Sequence, residues 1–106
     1  MPEKKRPKHH ANLTTLFPEI FSALDNLGAK VKSAGPLDRK TSELIQLAAA
    51  ASAQSEGSVH SHTRRALEAG ASREEIHHCL LLLISTIGFP RVAAAMSWAE
   101  DILGKS

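Results

Sequence analysis

Residues 37–88, LDRKTSELIQLAAAASAQSEGSVHSHTRRALEAGASREEIHHCLLLLISTIG, decide the fold. Asp38 is placed to cap a helix over 39–54, whose Leu44, Ile45, Leu47, Ala48 and Ala51 recur on one side. A short polar break follows at 55–58. A helix over 56–69 then carries His62, Ala66 and Leu67 and stops at Gly70, which can adopt the left-handed conformation that closes a helix. Ser72 with Glu75 makes a capping-box pattern, which predicts a further helix over 73–87. The first two of these helices are joined so closely that they must lie side by side and antiparallel.

Outward from this stretch the punctuation is of the same kind. Pro18 can open a helix through Ile20, Phe21, Leu24, Leu27 and Val31, and 33–36 breaks it. Gly88 closes the helix over 73–87, and Pro90 starts a last one through Val92, Ala95, Met96, Ala99, Ile102 and Leu103 up to Gly104. The expectation is an all-α domain of five helices over 12–106, with 39–54 and 56–69 as its central antiparallel pair. Ala and Leu dominate, Gly and Pro are sparse, and no strand is expected.

Residues 1–11 read as a disordered basic tail, with contact to an acidic partner as the competing reading. Lys4, Lys5, Arg6 and Lys8 face only Glu3 there, so the rest of the chain holds nine basic residues against ten acidic. A near-neutral domain argues against a nucleic-acid surface, which needs a concentrated basic patch, so no nucleic-acid partner is expected. The longest apolar run, 79–84, is far short of the ~20 residues that span a bilayer, so no membrane is expected. No apolar segment follows the basic N-terminus as a secretory signal requires, and a single cysteine makes no internal disulfide; a cytoplasmic location is expected. The helix over 73–87 is apolar nearly all round in its second half, and so small a domain cannot cover it alone. The chain is therefore expected to associate with copies of itself.

The polar residues worth weighing gather at the junction of the central pair: Glu43, Ser55, Ser58, His60 and His62. Ser55, Ser58 and His62 follow one another by three and then four residues and share a helix face. Glu43, on the neighbouring helix, can join them. A carboxylate facing an imidazole can move protons, one group acting as base while the other orients it; a plain ion pair between helices is the competing reading.

These residues also carry a resemblance. LDRKTSELIQLA, HTRRALEAG from His62 to Gly70, and the ASREEI that follows look like the core of the carboxymuconolactone decarboxylase and alkyl hydroperoxidase D-like superfamily. In the peroxidase branch a Glu precedes by twelve residues a Cys-x-x-Cys-x-x-x-His motif. Glu43 and His62 match its Glu and His, while Ser55 and Ser58 stand where its cysteines stand and Gly57 replaces a further histidine. Thiol peroxidase chemistry needs one thiolate to attack and another to resolve, and serine does neither. The decarboxylase branch lacks the cysteines and keeps the histidine, and its Gly, aromatic, Pro sequence resembles Gly88, Phe89 and Pro90. The resemblance implies an oligomeric helical protein, a homotrimer or homohexamer. It also implies acid/base chemistry on a small organic acid or lactone, with His62 as acid or base, Glu43 orienting it, and Ser58, Ser55 and His60 beside them. A degenerate, non-catalytic binding protein of the same fold is the alternative.

Other readings carry less. His60, His62, His77 and His78, even with Glu43, do not pair into a two-ligand face, so no metal is expected, and no cofactor. A Ser58 nucleophile activated by His62 has the right residue types but no marked oxyanion hole. Cys79 reads as a buried, inert thiol, and Met96 and Trp98 as packing. Arg64, Arg65 and Arg91 are candidates for binding a substrate carboxylate but read first as solvated residues.

Overall fold

The computed structural model describes residues 8–104, with side chains from Asn12 onward. Its elements are seven helices, and no strand occurs among the described residues: α1 Lys8–Leu16, α2 Pro18–Ser33, α3 Arg39–Ser52, α4 Glu56–Glu68, α5 Arg73–Leu81, α6 Ile84–Ile87 and α7 Phe89–Leu103. The all-α class is as expected; the helix count is not. Two compact units divide between Pro36 and Leu37.

The first unit contains α1 and α2. Residues 1–7 of the expected tail lie outside the described residues, and the expected boundary at residue 11 falls inside α1. Pro18 opens α2 as its pattern predicts, and the helix buries none of its residues. Ile20, Leu24, Leu27 and Val31 make an exposed apolar stripe.

The second unit, α3 to α7, holds the core. The Asp38 carboxylate accepts from the Thr41 N–H at 2.7 Å and caps α3. This bond holds its carboxyl below the ordinary aspartate range. Stabilisation by the cap is therefore present above the unfolded-state pKa and is lost as pH falls through the folded one. At α5 both bonds of the capping box form: the Ser72 N–H donates to Glu75 at 2.8 Å, and the Glu75 N–H donates to the Ser72 hydroxyl at 3.0 Å. Glu75 also takes a bond from Lys40 at 2.9 Å, tying α5 to the start of α3. Gly70 and Gly88 have φ of +97° and +90°, values costly for any residue with a Cβ; Gly70 follows the end of α4, and Gly88 closes the short α6.

Leu47, Ala50 and Ala51 of α3, Val59 and Ala66 of α4, Ala71 before α5, Ile76 and Leu80 of α5, and Ala95, Ala99 and Leu103 of α7 form one buried cluster. The alanines facing inward on α3, α4 and α7 let these helices approach closely, while Leu47, Val59, Ile76, Leu80 and Leu103 supply the larger buried side chains.

The helix expected over 73–87 is broken. At Leu83 the backbone N–H donates to Leu80 three residues back, at 3.1 Å, and Thr86 repeats the pattern to Leu83 at 3.0 Å. Such tightening divides α5 from α6 with neither Gly nor Pro present. Leu80 goes into the core, and Leu81, Leu82 and Ile84 are left exposed. None of the described helices is long and apolar enough to cross a membrane.

Gln54, in the turn between α3 and α4, has φ of +54° although it carries a side chain. Its side-chain amide donates to the Ala51 carbonyl at 2.8 Å and to the Arg91 carbonyl at 3.2 Å, holding the turn against the start of α7. These bonds offset a backbone strain of ~1–2 kcal/mol. Gln54→Ala loses the bonds and keeps the strain, whereas Gln54→Gly loses both. Denaturant unfolding should therefore find the Gly variant more stable than the Ala variant by about 1 kcal/mol, the reverse of the order in an ordinary helix.

Candidate functional site

The short turn after α3 sends α4 back along it, which sets Glu43 in the second turn of α3 opposite His62 in the middle of α4. His62 Nδ1 lies 2.9 Å from Glu43 Oε1. The Glu43 side chain is 1% exposed and that of His62 18%. A buried carboxylate thus meets an imidazole that solvent can still reach. An ionised carboxylate only accepts, so with Glu43 ionised the hydrogen of this bond belongs to Nδ1, the donor and acceptor roles following the tautomer of the ring.

Ser58 is half-buried and lies one turn before His62 on the same face of α4. Ser55 occupies the N-cap position of α4, but its side chain makes no capping bond. Its own backbone N–H is taken by the Ala50 carbonyl at 3.1 Å, part of the tight turn that Gln54 holds.

His60 takes no part in the pair. Two residues from His62, it projects from another side of α4, where its Nε2 lies 2.9 Å from Asp101 Oδ2 on α7. His77 likewise turns to Glu100 on α7 at 2.6 Å. Arg64 is half-buried, and Arg65 and Arg91 are exposed.

One buried acceptor on α3 escaped the sequence reading. Gln46 sits one turn along α3 from Glu43, and its Oε1 is buried with no hydrogen-bond partner. Spacing from Glu43 was the signal that could have found it, since i and i+3 share a helix side.

Cys79 is half-buried, its thiol donating to the Leu44 carbonyl at 3.3 Å. Burial pushes this thiol above its ordinary range, so little thiolate is available to attack a peroxide. The protein is expected to show no thiol peroxidase turnover with an organic hydroperoxide. Any slow background consumption should be unchanged in Cys79→Ser; a turnover that disappears with Cys79 would contradict this.

The second unit is thus a helical body built on an antiparallel pair, with a buried glutamate against a histidine between the two helices. The chain belongs to the carboxymuconolactone decarboxylase family, whose model matches residues 18–101. It is 32% identical over 87 residues to an uncharacterized protein of Methanocaldococcus jannaschii, a match that takes in 82% of this chain and 81% of the relative. Its fold is similar to the crystal structure of an apo carboxymuconolactone decarboxylase family protein from Legionella pneumophila, with a TM-score of 0.78 and 27% identity. That likeness covers 91% of this chain and 86% of the Legionella one.

Proposed function

We propose that this chain performs proton-transfer chemistry, decarboxylation or a related step, on a small organic acid or lactone. His62 is the general acid or base at Nε2, and Glu43 orients it from Nδ1. The observation that carries this reading is the 2.9 Å contact between a fully buried carboxylate and a partly exposed imidazole. Burial holds Glu43 in one place, and the exposed part of the His62 ring is where a substrate would meet it. When Nε2 takes a proton the charge formed on the ring faces the carboxylate, which stabilises it without reorganisation. Ser55 and Ser58 offer hydroxyls for orienting a substrate on the same face of α4. The unpaired acceptor of Gln46 suits a hydroxyl or protonated carboxyl group of the ligand.

We place this activity in a cytoplasmic homotrimer or homohexamer. Support for self-association comes from the second unit alone, which leaves Leu81, Leu82, Ile84 and Phe89 exposed around the break between α5 and α6. Apolar residues gathered in this way are what a subunit contact covers.

Deuterium exchange tests the chemistry without advance knowledge of the reaction. Small enolisable carboxylic acids and lactones are incubated with the protein in D2O, and loss of each C–H signal is followed by NMR. At least one compound should exchange, or lose its carboxyl group, much faster with protein than without. A panel left wholly unchanged would favour the non-catalytic binding protein.

A further inference from the structure

His60 is the candidate residue that the Glu43–His62 pair does not employ, and its surroundings define a second site. Glu56 and His60 are one turn apart on α4, so their side chains leave the helix on one side. Asp101 reaches the same place from α7. One ligand atom from each of the three lies within 4.8 Å of the other two. We propose that Glu56, His60 and Asp101 bind a divalent transition-metal ion of the zinc type.

The donor set argues for this class of ion. One imidazole nitrogen and two carboxylate oxygens neutralise a doubly charged cation, and the nitrogen favours zinc-like ions over magnesium and calcium, which take oxygen. Bonds of ~2.1 Å in a tetrahedral arrangement put ligand atoms ~3.4 Å apart. The His60–Asp101 contact of 2.9 Å needs to open only slightly. Glu56 is exposed and can swing inward by the remaining ångström or so. A plain ion pair between α4 and α7 needs His60 and Asp101 only; Glu56, one helical turn from His60, supplies the third donor. Three protein ligands leave a position for water or an anion, the pattern of an open rather than a closed zinc site. This inference is independent of the acid–base reading of His62.

The full chain, prepared without a histidine tag and stripped with a chelator, is titrated with Zn²⁺ by calorimetry. One ion per chain should bind. Each of His60→Gln, Glu56→Gln and Asp101→Asn should weaken binding by about tenfold or more. His62→Gln, and the double change His9→Gln with His10→Gln, should leave it as in the parent protein. None of the three ligand side chains is fully buried, so their replacement leaves no buried charge, and circular dichroism verifies the helices. NMR of the parent protein adds a reading without mutation, since Zn²⁺ should shift the His60 ring signals before those of His62 or His77. Failure to saturate at submillimolar Zn²⁺ would overturn the proposal. So would binding that follows His9 and His10 or His62, or that is untouched by Glu56→Gln, the last result leaving the ion pair alone.

Discussion

Leu80→Ala is expected to lower the unfolding free energy by about 2–5 kcal/mol, enough to drop the melting temperature by ~10 °C or more. Leu80 is 0% exposed and belongs to the cluster joining α3, α4, α5 and α7. Removing its branched end leaves a cavity that the surrounding helices can only partly close. Leu82, two residues on, is the contrasting probe, because it is 62% exposed. In a lone chain Leu82→Ala should change stability by less than about 0.5 kcal/mol. In the proposed oligomer the same change should weaken assembly and make stability depend on protein concentration. Sedimentation of the two variants beside the parent protein therefore separates core from contact surface. A parent protein that remains monomeric at micromolar concentration would refute the oligomer.

His62→Gln should reduce the exchange or decarboxylation reaction by about a hundredfold or more, the usual range for loss of a positioned acid or base. Glutamine fills similar space but cannot take up a proton, so helix content should not change. Glu43→Gln is expected to cost less, about tenfold or more, because its side-chain oxygen can still accept from Nδ1–H while the charge that stabilises the imidazolium is gone. Ser58→Ala, which removes only a hydroxyl on the same face, should fall by less than His62→Gln. Undiminished turnover in His62→Gln would move the chemistry to other residues. A collapse of the folded state in Glu43→Gln would instead assign the pair a structural role.

Much of this architecture was legible because it is set by local chemistry. Asp38, Ser72 with Glu75, Gly70, Gly88, Pro18 and Pro90 stand at helix ends, and side-chain and backbone preferences at such positions act within one or two turns. The approach of Glu43 to His62 was legible for a related reason. Two helices joined by a turn this short have little choice but to pack side by side, so spacing along each helix fixes the residues that meet.

What escaped the sequence depends on tertiary packing. Leu81, Leu82 and Leu83 favour helix, and nothing in them announces the break between α5 and α6. Helix α1 is polar and short, with Ala11, Leu13 and Leu16 as its apolar residues, too few to set a period. Gln54 is an unexpected residue for positive φ, tolerated because its amide reaches the Arg91 carbonyl on a helix distant in sequence. His60 was grouped with His62 by proximity in sequence, whereas its partner Asp101 lies 41 residues away.

The most direct test of the central claim is the position of the proton on His62. Nitrogen-15 correlation spectra of the histidine rings, recorded where the imidazole is neutral, distinguish a hydrogen on Nδ1 from one on Nε2. With Glu43 accepting from Nδ1, His62 should be the Nδ1–H tautomer with a bare Nε2. Glu43→Leu, which removes the acceptor, should return the ring to the Nε2–H form without disturbing His60 or His77. An Nε2–H tautomer in the parent protein, or one that ignores the change at Glu43, would contradict the account.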